Sequence, residues 1–392
     1  MVKPAWRLHR STIVLLSALL GMTSGVAGTS ASAAPTEAPS TVWLRHVIVH
    51  SHLSAVPTPV VGSTLAYGIS TSATTDRYGR LTMLDEVTGA LTMGGRLPIG
   101  SQLFSFGQAI VALFPALERP SGAAIGPWSI RVIKKGLLAW GKPVVLHVPA
   151  PTVPNVGPDF VQATSGPAID GDDFWVRDGN SIFLVDRATG RVVRQRDLGA
   201  DVTSLALSPT GKRLYVALDE LDKKGLVRSG GPAAVVLEEL DASDGASLAK
   251  TAGLGGVGLA ELTAVPGAVW ESARGGNAGS VVVYSAHDLR LITRPSDGLT
   301  FGVPHAGAAM MMGIEATYVA GAVWLSNVTG SSCVDPGTGR FRSGSTSLAI
   351  DGFWTPFAVV AGTIYGAQIL GGTSPPLEIV AVNPPASCST RS

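Results

Sequence analysis

One short pattern recurs along this 392-residue chain and restricts what it can fold into. An apolar run ends in Asp, and Gly follows four residues later. It reads Leu84-Asp85-Glu86-Val87-Thr88-Gly89, then Val185-Asp186-Arg187-Ala188-Thr189-Gly190. It returns as Leu240-Asp241-Ala242-Ser243-Asp244-Gly245 and as Val334-Asp335-Pro336-Gly337-Thr338-Gly339. This is hairpin chemistry: the Asp side chain caps the turn, and Gly accepts positive φ. Weaker copies fall near Lys135 (Ile133-Lys134-Lys135-Gly136), Ser285 (Val283-Tyr284-Ser285) and Asn383 (Val382-Asn383-Pro384). The anchors 85, 135, 186, 241, 285, 335 and 383 are then 50, 51, 55, 44, 50 and 48 residues apart.

A second column precedes the turns. A strand-like run carries Tyr67, Trp175, Tyr215, Trp270, Trp324 or Tyr365, with Gln108-Ala109-Ile110-Val111 as the exception. Aromatics at matching places are read as packing between units rather than as a binding cluster. A third column, Ser204–Leu207, Leu262–Val265, Ala316–Val319 and Phe357–Val360, reads as innermost strands; runs after the turn, Ala90–Met93 and Arg191–Arg194, supply a fourth. Seven four-stranded units with no helical period predict an all-β fold, a seven-bladed β-propeller over residues 41–392. The last unit runs out of chain after Asn383. The strand-like stretch Thr41–Val49 is expected to complete it, so that the ring closes by pairing of N- and C-terminal strands rather than leaving open edges.

Residues 1–33 read as a cleaved signal peptide. Lys3, Arg7 and Arg10 precede an apolar stretch from Thr12 to Leu20, and Ala31-Ser32-Ala33 places cleavage between Ala33 and Ala34. An uncleaved anchor is the alternative, but the stretch is short of a bilayer span and glycines interrupt it. Residues 34–40 read as a flexible segment. No transmembrane segment is expected in the mature chain, which is read as secreted. Formal charge is +1 and charged residues are 15% of the chain, without a basic stripe, so nucleic acid is not expected as a partner. The two cysteines, Cys333 and Cys388, form a disulfide in an oxidising compartment; two buried free thiols are the other possibility.

The stretch Val202–Ala217, with Ser208-Pro209-Thr210-Gly211-Lys212-Arg213-Leu214-Tyr215-Val216, resembles a YVTN-type propeller repeat in which Thr210 stands where Asp is usual. Ala320–Asn327, running on to Asp335–Gly339, resembles repeats of streptogramin-lyase-like propellers. The resemblance implies blades and does not transfer an activity. Quinoprotein propellers share the Asp-x-x-Thr-Gly turn, but no Trp follows Gly89 or Gly190 and adjacent cysteines are absent. The lyases' histidine and magnesium roles would fall on His305 with Glu315, or on His287. No surrounding motif matches, and none of those roles is carried over.

Other candidates weigh toward structure. His46, His50 and His52 share a face of one strand, as metal ligands can, but a solvent-facing closing strand accounts for them. Met310-Met311-Met312 cannot converge from one strand. Asp170, Asp172, Asp173 and Asp178 lack calcium-loop spacing, and Asn327-Val328-Thr329 is a formal sequon. No G-x-S-x-G elbow is present. No cofactor is expected. The favoured reading is an extracellular, monomeric, non-catalytic scaffold for a protein, peptide or glycan; the alternatives are a hydrolase or lyase acting at the channel mouth, and a cell-surface structural protein.

Overall fold

The computed structural model divides into two compact units, Met1–Glu37 and Ala38–Ser392. It describes residues 41–42, 52–53, 57–71, 78–98, 101–114, 127–148, 161–164, 166, 169, 172–219, 235–253, 259–274, 281–293, 315–327, 330–340, 353–369, 377–384 and 388. Ala33 and Ala34 lie outside them, as does the segment 34–40. No helix occurs among the described residues.

Seven antiparallel sheets follow one another around a ring, a β-propeller of seven blades. Blade one pairs Leu65–Thr71, Tyr78–Asp85 and Leu91–Pro98, with Thr58–Pro59 and His52–Leu53 on the inner edge of the first of these. Blade two runs from Gln102–Phe106 through Ala109–Phe114 and Ser129–Ile133 to Val144–Val145. Blade three is Val161–Ala163, Asp173–Asp178, Ser181–Asp186 and Val192–Asp197. Blade four is Asp201–Leu207, Arg213–Asp219, Val235–Asp241 and Ser247–Ala252, and blade five Leu259–Val265, Ala268–Arg274, Val281–Ser285 and Leu291–Thr293. Blade six has three described strands, Glu315–Val319, Ala322–Asn327 and Gly330–Val334. Blade seven is Phe353–Val360, Thr363–Ile369 and Leu377–Val382, completed by Thr41–Val42. Thr41 lies opposite Val382 and Val42 opposite Ala381, so the ring closes as expected, with the N-terminal strand outermost. Residues 43–49 of the expected closing strand are outside the described set.

The recurrent turn has one geometry. The Gly N–H donates to the Asp carbonyl at Gly89–Asp85 (2.8 Å), Gly190–Asp186 (2.7 Å), Gly245–Asp241 (2.8 Å) and Gly339–Asp335 (2.9 Å). In blade five Leu289 takes the Gly position, donating to the Ser285 carbonyl at 3.0 Å. Its φ of 52° is costly for a branched side chain. Burial of that side chain in the joint with blade four offsets the cost. The Asp carboxylates close the turns: Asp186 Oδ1 accepts from Thr189 N and Oγ1, and Asp335 Oδ1 from Gly337 N, Thr338 N and Thr338 Oγ1.

Burial is organised by joints. Seven apolar clusters lie one between each pair of successive blades, including blades seven and one. The aromatic column sits on the second strand of six blades, and in four of them its polar tip reaches the next blade's turn, whereas Trp324 Nε1 is buried without a partner. Trp175 Nε1 donates to Ala242 O at 2.8 Å, Tyr215 Oη to Ala286 O at 2.9 Å and Trp270 Nε1 to Pro336 O at 2.8 Å. Tyr67 Oη donates to Leu137 O at 3.1 Å. Each therefore buries a large apolar body while its polar tip meets a carbonyl. Between blades two and three, where the column has Val111, Phe104 and Phe106 of the first strand pack on Phe174 at 5.3 and 5.7 Å between centroids.

Cys333 and Cys388 form a disulfide, Cα–Cα 5.8 Å, joining the third strand of blade six to the chain beyond the last strand of blade seven. Beside it Trp324 and Trp354 meet edge to face at 5.7 Å. Gly366 leaves room for Trp354, since a Cβ there would lie 2.2 Å from the indole.

Candidate functional site

The first strand of each blade faces the central channel, and these strands contact one another in succession from blade three through blade seven to Thr58–Pro59 of blade one and on to blade two. Cross-strand register identifies equivalent positions. The residue opposite the site two beyond the aromatic column is Gln102 in blade two, Gln162 in blade three and Ser204 in blade four. It is Glu261 in blade five, Glu315 in blade six and Thr355 in blade seven. One level of the channel is therefore a collar of polar residues carried on six blades, with no Lys, Arg or His at these six positions. The bulge between Pro356 and Ala358 brings Thr355 into this level.

The wall is stitched from blade to blade. Leu262 N donates to Ser204 Oγ at 3.1 Å, Thr263 Oγ1 to Ala316 O at 2.8 Å, and Thr355 Oγ1 to Glu315 Oε2 at 2.9 Å. Between blades two and three, Gly166 N donates to Ser105 O and Gly107 N to Gly166 O. Against this wall lies a cavity of about 560 Å³, lined by Ser105, Ser204, Glu261, Thr263, Glu315 and Tyr318 among others, none of them basic. Its volume falls in the range of small-ligand sites. Its chemistry is that of hydrogen-bond acceptors and hydroxyls, with two carboxylates on adjacent blades.

A second charged group lies at the end of blade four where Asp201 opens the first strand and Asp219 closes the second. Asp201 and Asp219 are directly opposite each other. Asp219 is 6% exposed and its Oδ1 has no hydrogen-bond partner. Burial, then the Asp201 charge, pushes its carboxyl up to about 6. Burial also raises Asp201, against the opposing pull of Arg177, whose Nη1 donates to Val202 O. A similar orphan, Glu86 Oε1, sits in the blade-one turn, and burial pushes that carboxyl up to about 7, helped by Asp85.

Of the residues singled out by sequence, Glu315 is in the channel wall. His287 is not: it lies in the blade-five turn, its N–H donating to Ser285 Oγ, within electrostatic reach of Glu239. His305, Met310–Met312, His46, His50 and Asp170 are outside the described residues, and of His52 only its backbone pairing opposite Thr71 is described. Asp172 forms an ion pair with Arg187 at 2.6 Å, Asp173 pairs opposite Asp186, and Asp178 is buried at a strand end. No group of three or more His, Cys, Asp or Glu able to hold a metal occurs among the described residues. No helix among them is long and apolar enough to cross a membrane.

Sequence reasoning missed Glu261, Thr355 and the Asp201–Asp219 pair. For Asp219 the signal was present: a lone acid closing the apolar run Leu214-Tyr215-Val216-Ala217-Leu218. Fold and channel thus define the class, a seven-bladed propeller with a polar, acid-bearing channel. No family model and no curated protein matches the chain.

Proposed function

We propose that the protein is an exported, non-catalytic propeller that binds a protein, peptide or glycan through its central channel. The supporting observation is the cavity beside Glu261, Glu315 and Thr355, whose described lining offers acceptors and hydroxyls and no basic group. Such a wall suits a ligand that presents donors, whether ammonium, guanidinium or hydroxyl groups, and disfavours phosphate, sulfate or uronate groups. Export rests on the Ala31-Ser32-Ala33 pattern and agrees with the Cys333–Cys388 bridge, which oxidising compartments sustain. The chain is read as a monomer without cofactor, and its repeats as YVTN or streptogramin-lyase-like in type.

The test screens the purified protein, lacking residues 1–33, against glycan and peptide arrays, followed by titration of each hit. Glu261→Gln with Glu315→Gln should weaken a true channel ligand at least about tenfold, since each charge-assisted hydrogen bond contributes roughly 1.5–3 kcal/mol. A ligand whose affinity the double variant leaves unchanged would place binding elsewhere. The second reading, a hydrolase or lyase acting at the channel mouth, draws on the same two carboxylates. It requires turnover of a bound oligosaccharide or peptide, abolished by Glu315→Gln; a hit recovered intact after prolonged incubation decides for binding.

A further inference from the structure

The joint between blades four and five differs from a purely apolar seam. Its centre is a cluster that includes Tyr215, Val235, Leu237, Leu262, Val269 and Leu289. Both ends of that cluster carry acids. At the end where the second strand of blade four closes, Asp201 and Asp219 lie opposite each other, and Asp219 pairs across its other edge with Val235. A Cβ on Gly253 would touch both Val235 and the Glu271 carboxylate, so Glu271 of blade five adjoins the same place. Glu271 is fully buried, accepting from Tyr284 Oη at 3.1 Å. At the turn end, Glu239 is 1% exposed, pairs with Arg213 at 3.1 Å, and meets His287 and Asp288 of the blade-five turn.

The charged groups at this joint are thus Asp201, Asp219, Glu239, Asp241 and Arg213 of blade four, and Glu271, His287, Asp288 and Arg290 of blade five. Blade three adds Arg177, and Glu261 stands on the adjoining channel strand. Three arginines, Arg177, Arg213 and Arg290, face more than twice as many carboxylates. The neighbouring joint is compensated differently: the fully buried Glu238, turned toward blade three, holds both Arg196 at 2.8 Å and Lys250 at 2.9 Å.

We infer that the joint between blades four and five is a proton-operated clamp on the channel wall, tight when its buried acids are neutral and loosened when they ionise. The physical cause is a carboxylate oxygen of Asp219 buried without a partner, opposite a second carboxylate. Ionising it costs desolvation and repulsion that a bound proton removes. The strands it holds are those whose Leu262 N to Ser204 Oγ bond stitches the channel wall beside Glu261. The raised carboxyls of Asp201, Asp219 and Glu239 agree in direction. The clamp gives the channel proposed above for ligand binding a dependence on pH, and rests on that proposal only for its use.

The test needs no ligand. Amide exchange of the Leu262 N–H, corrected for the intrinsic pH dependence of exchange, is compared at about pH 5 and about pH 8, with the Trp324 and Leu325 amides of blade six as internal reference. Protection at Leu262 should fall at least about tenfold at the higher pH relative to that reference. Asp219→Asn, isosteric and uncharged, should reduce that difference to threefold or less. Equal loss at the blade-six amides, no loss at Leu262, or an unchanged difference in Asp219→Asn overturns the inference. Should Asp219→Asn not fold, Asp201→Asn takes its place under the same criteria. Failure of every ligand screen would leave this result untouched.

Discussion

At residue scale, backbone conformation and close contact decide which side chains are replaceable. Ala361 and Gly362 form the tight turn between the first two strands of blade seven, with φ of 48° and 83°. A non-glycine residue in the left-handed region is costly, and Asn tolerates it better than Ala. Ala361 is exposed and makes no core contact that a longer side chain would disturb. Ala361→Asn should therefore raise stability by about 0.5 kcal/mol, read as a small increase in melting temperature; a decrease would mean that the turn is held by something other than its dihedral angles. Trp175 illustrates the opposite case. Its indole is fully buried, and its N–H meets Ala242 O across the joint. Trp175→Phe leaves that carbonyl without its donor and a void beside it, at a cost of about 2–4 kcal/mol.

At the scale of elements, the turns were the most legible part of the chain and the register of the inner strands the least. Asp, then Gly four residues later, is local chemistry, and it marks four turns without reference to any tertiary contact. Ser285–Leu289 was weaker in sequence because Leu, not Gly, supplies the positive φ, with burial in the neighbouring joint as compensation. The aromatic column was visible for the same local reason. Its gap at Val111 made sense only when Phe104, Phe106 and Phe174 were seen to fill the joint from other strands. The polar collar was hidden because it exists only in register. Glu261 and Glu315 sit in short apolar strands, and a single-residue bulge shifts Thr355 into line with them. The turn carboxylates also set a pH response. Hydrogen bonds from Thr189, chiefly through its hydroxyl, lower Asp186, and Ser243 lowers Asp241 in the same way. A depressed folded value contributes stability above the unfolded value of about 4 and loses it as pH falls through the folded one. Asp186→Ala should cost about 1 kcal/mol at neutral pH and progressively less in strong acid. An unchanged cost at low pH would contradict the assignment.

At the scale of the whole molecule, seven joints of similar build make the ring and one seam closes it. Near that seam Glu86 is buried with an unpartnered oxygen, and its carboxyl is pushed up to about 7. A raised acid works in the opposite sense to the turn aspartates: the folded state holds a proton that the unfolded state has released. Its destabilising effect is absent below the unfolded value, grows as pH rises from there through about 7, and is complete above it. Glu86→Gln should raise the melting temperature above pH 8 and change it little near pH 4.5; an equal effect at both would assign the residue a packing role only. The ring itself depends on Thr41–Val42 lying on Leu377–Val382, with the Cys333–Cys388 bridge tying blade six to the chain just beyond that strand. Thermal unfolding of a chain beginning at residue 51, beside one beginning at residue 34, isolates the closing strand. Loss of that edge should lower the melting temperature by roughly 10 °C or more, as expected for a seam worth several kcal/mol in a large domain. The same melting temperature in both would show that the ring does not close through its N-terminal strand.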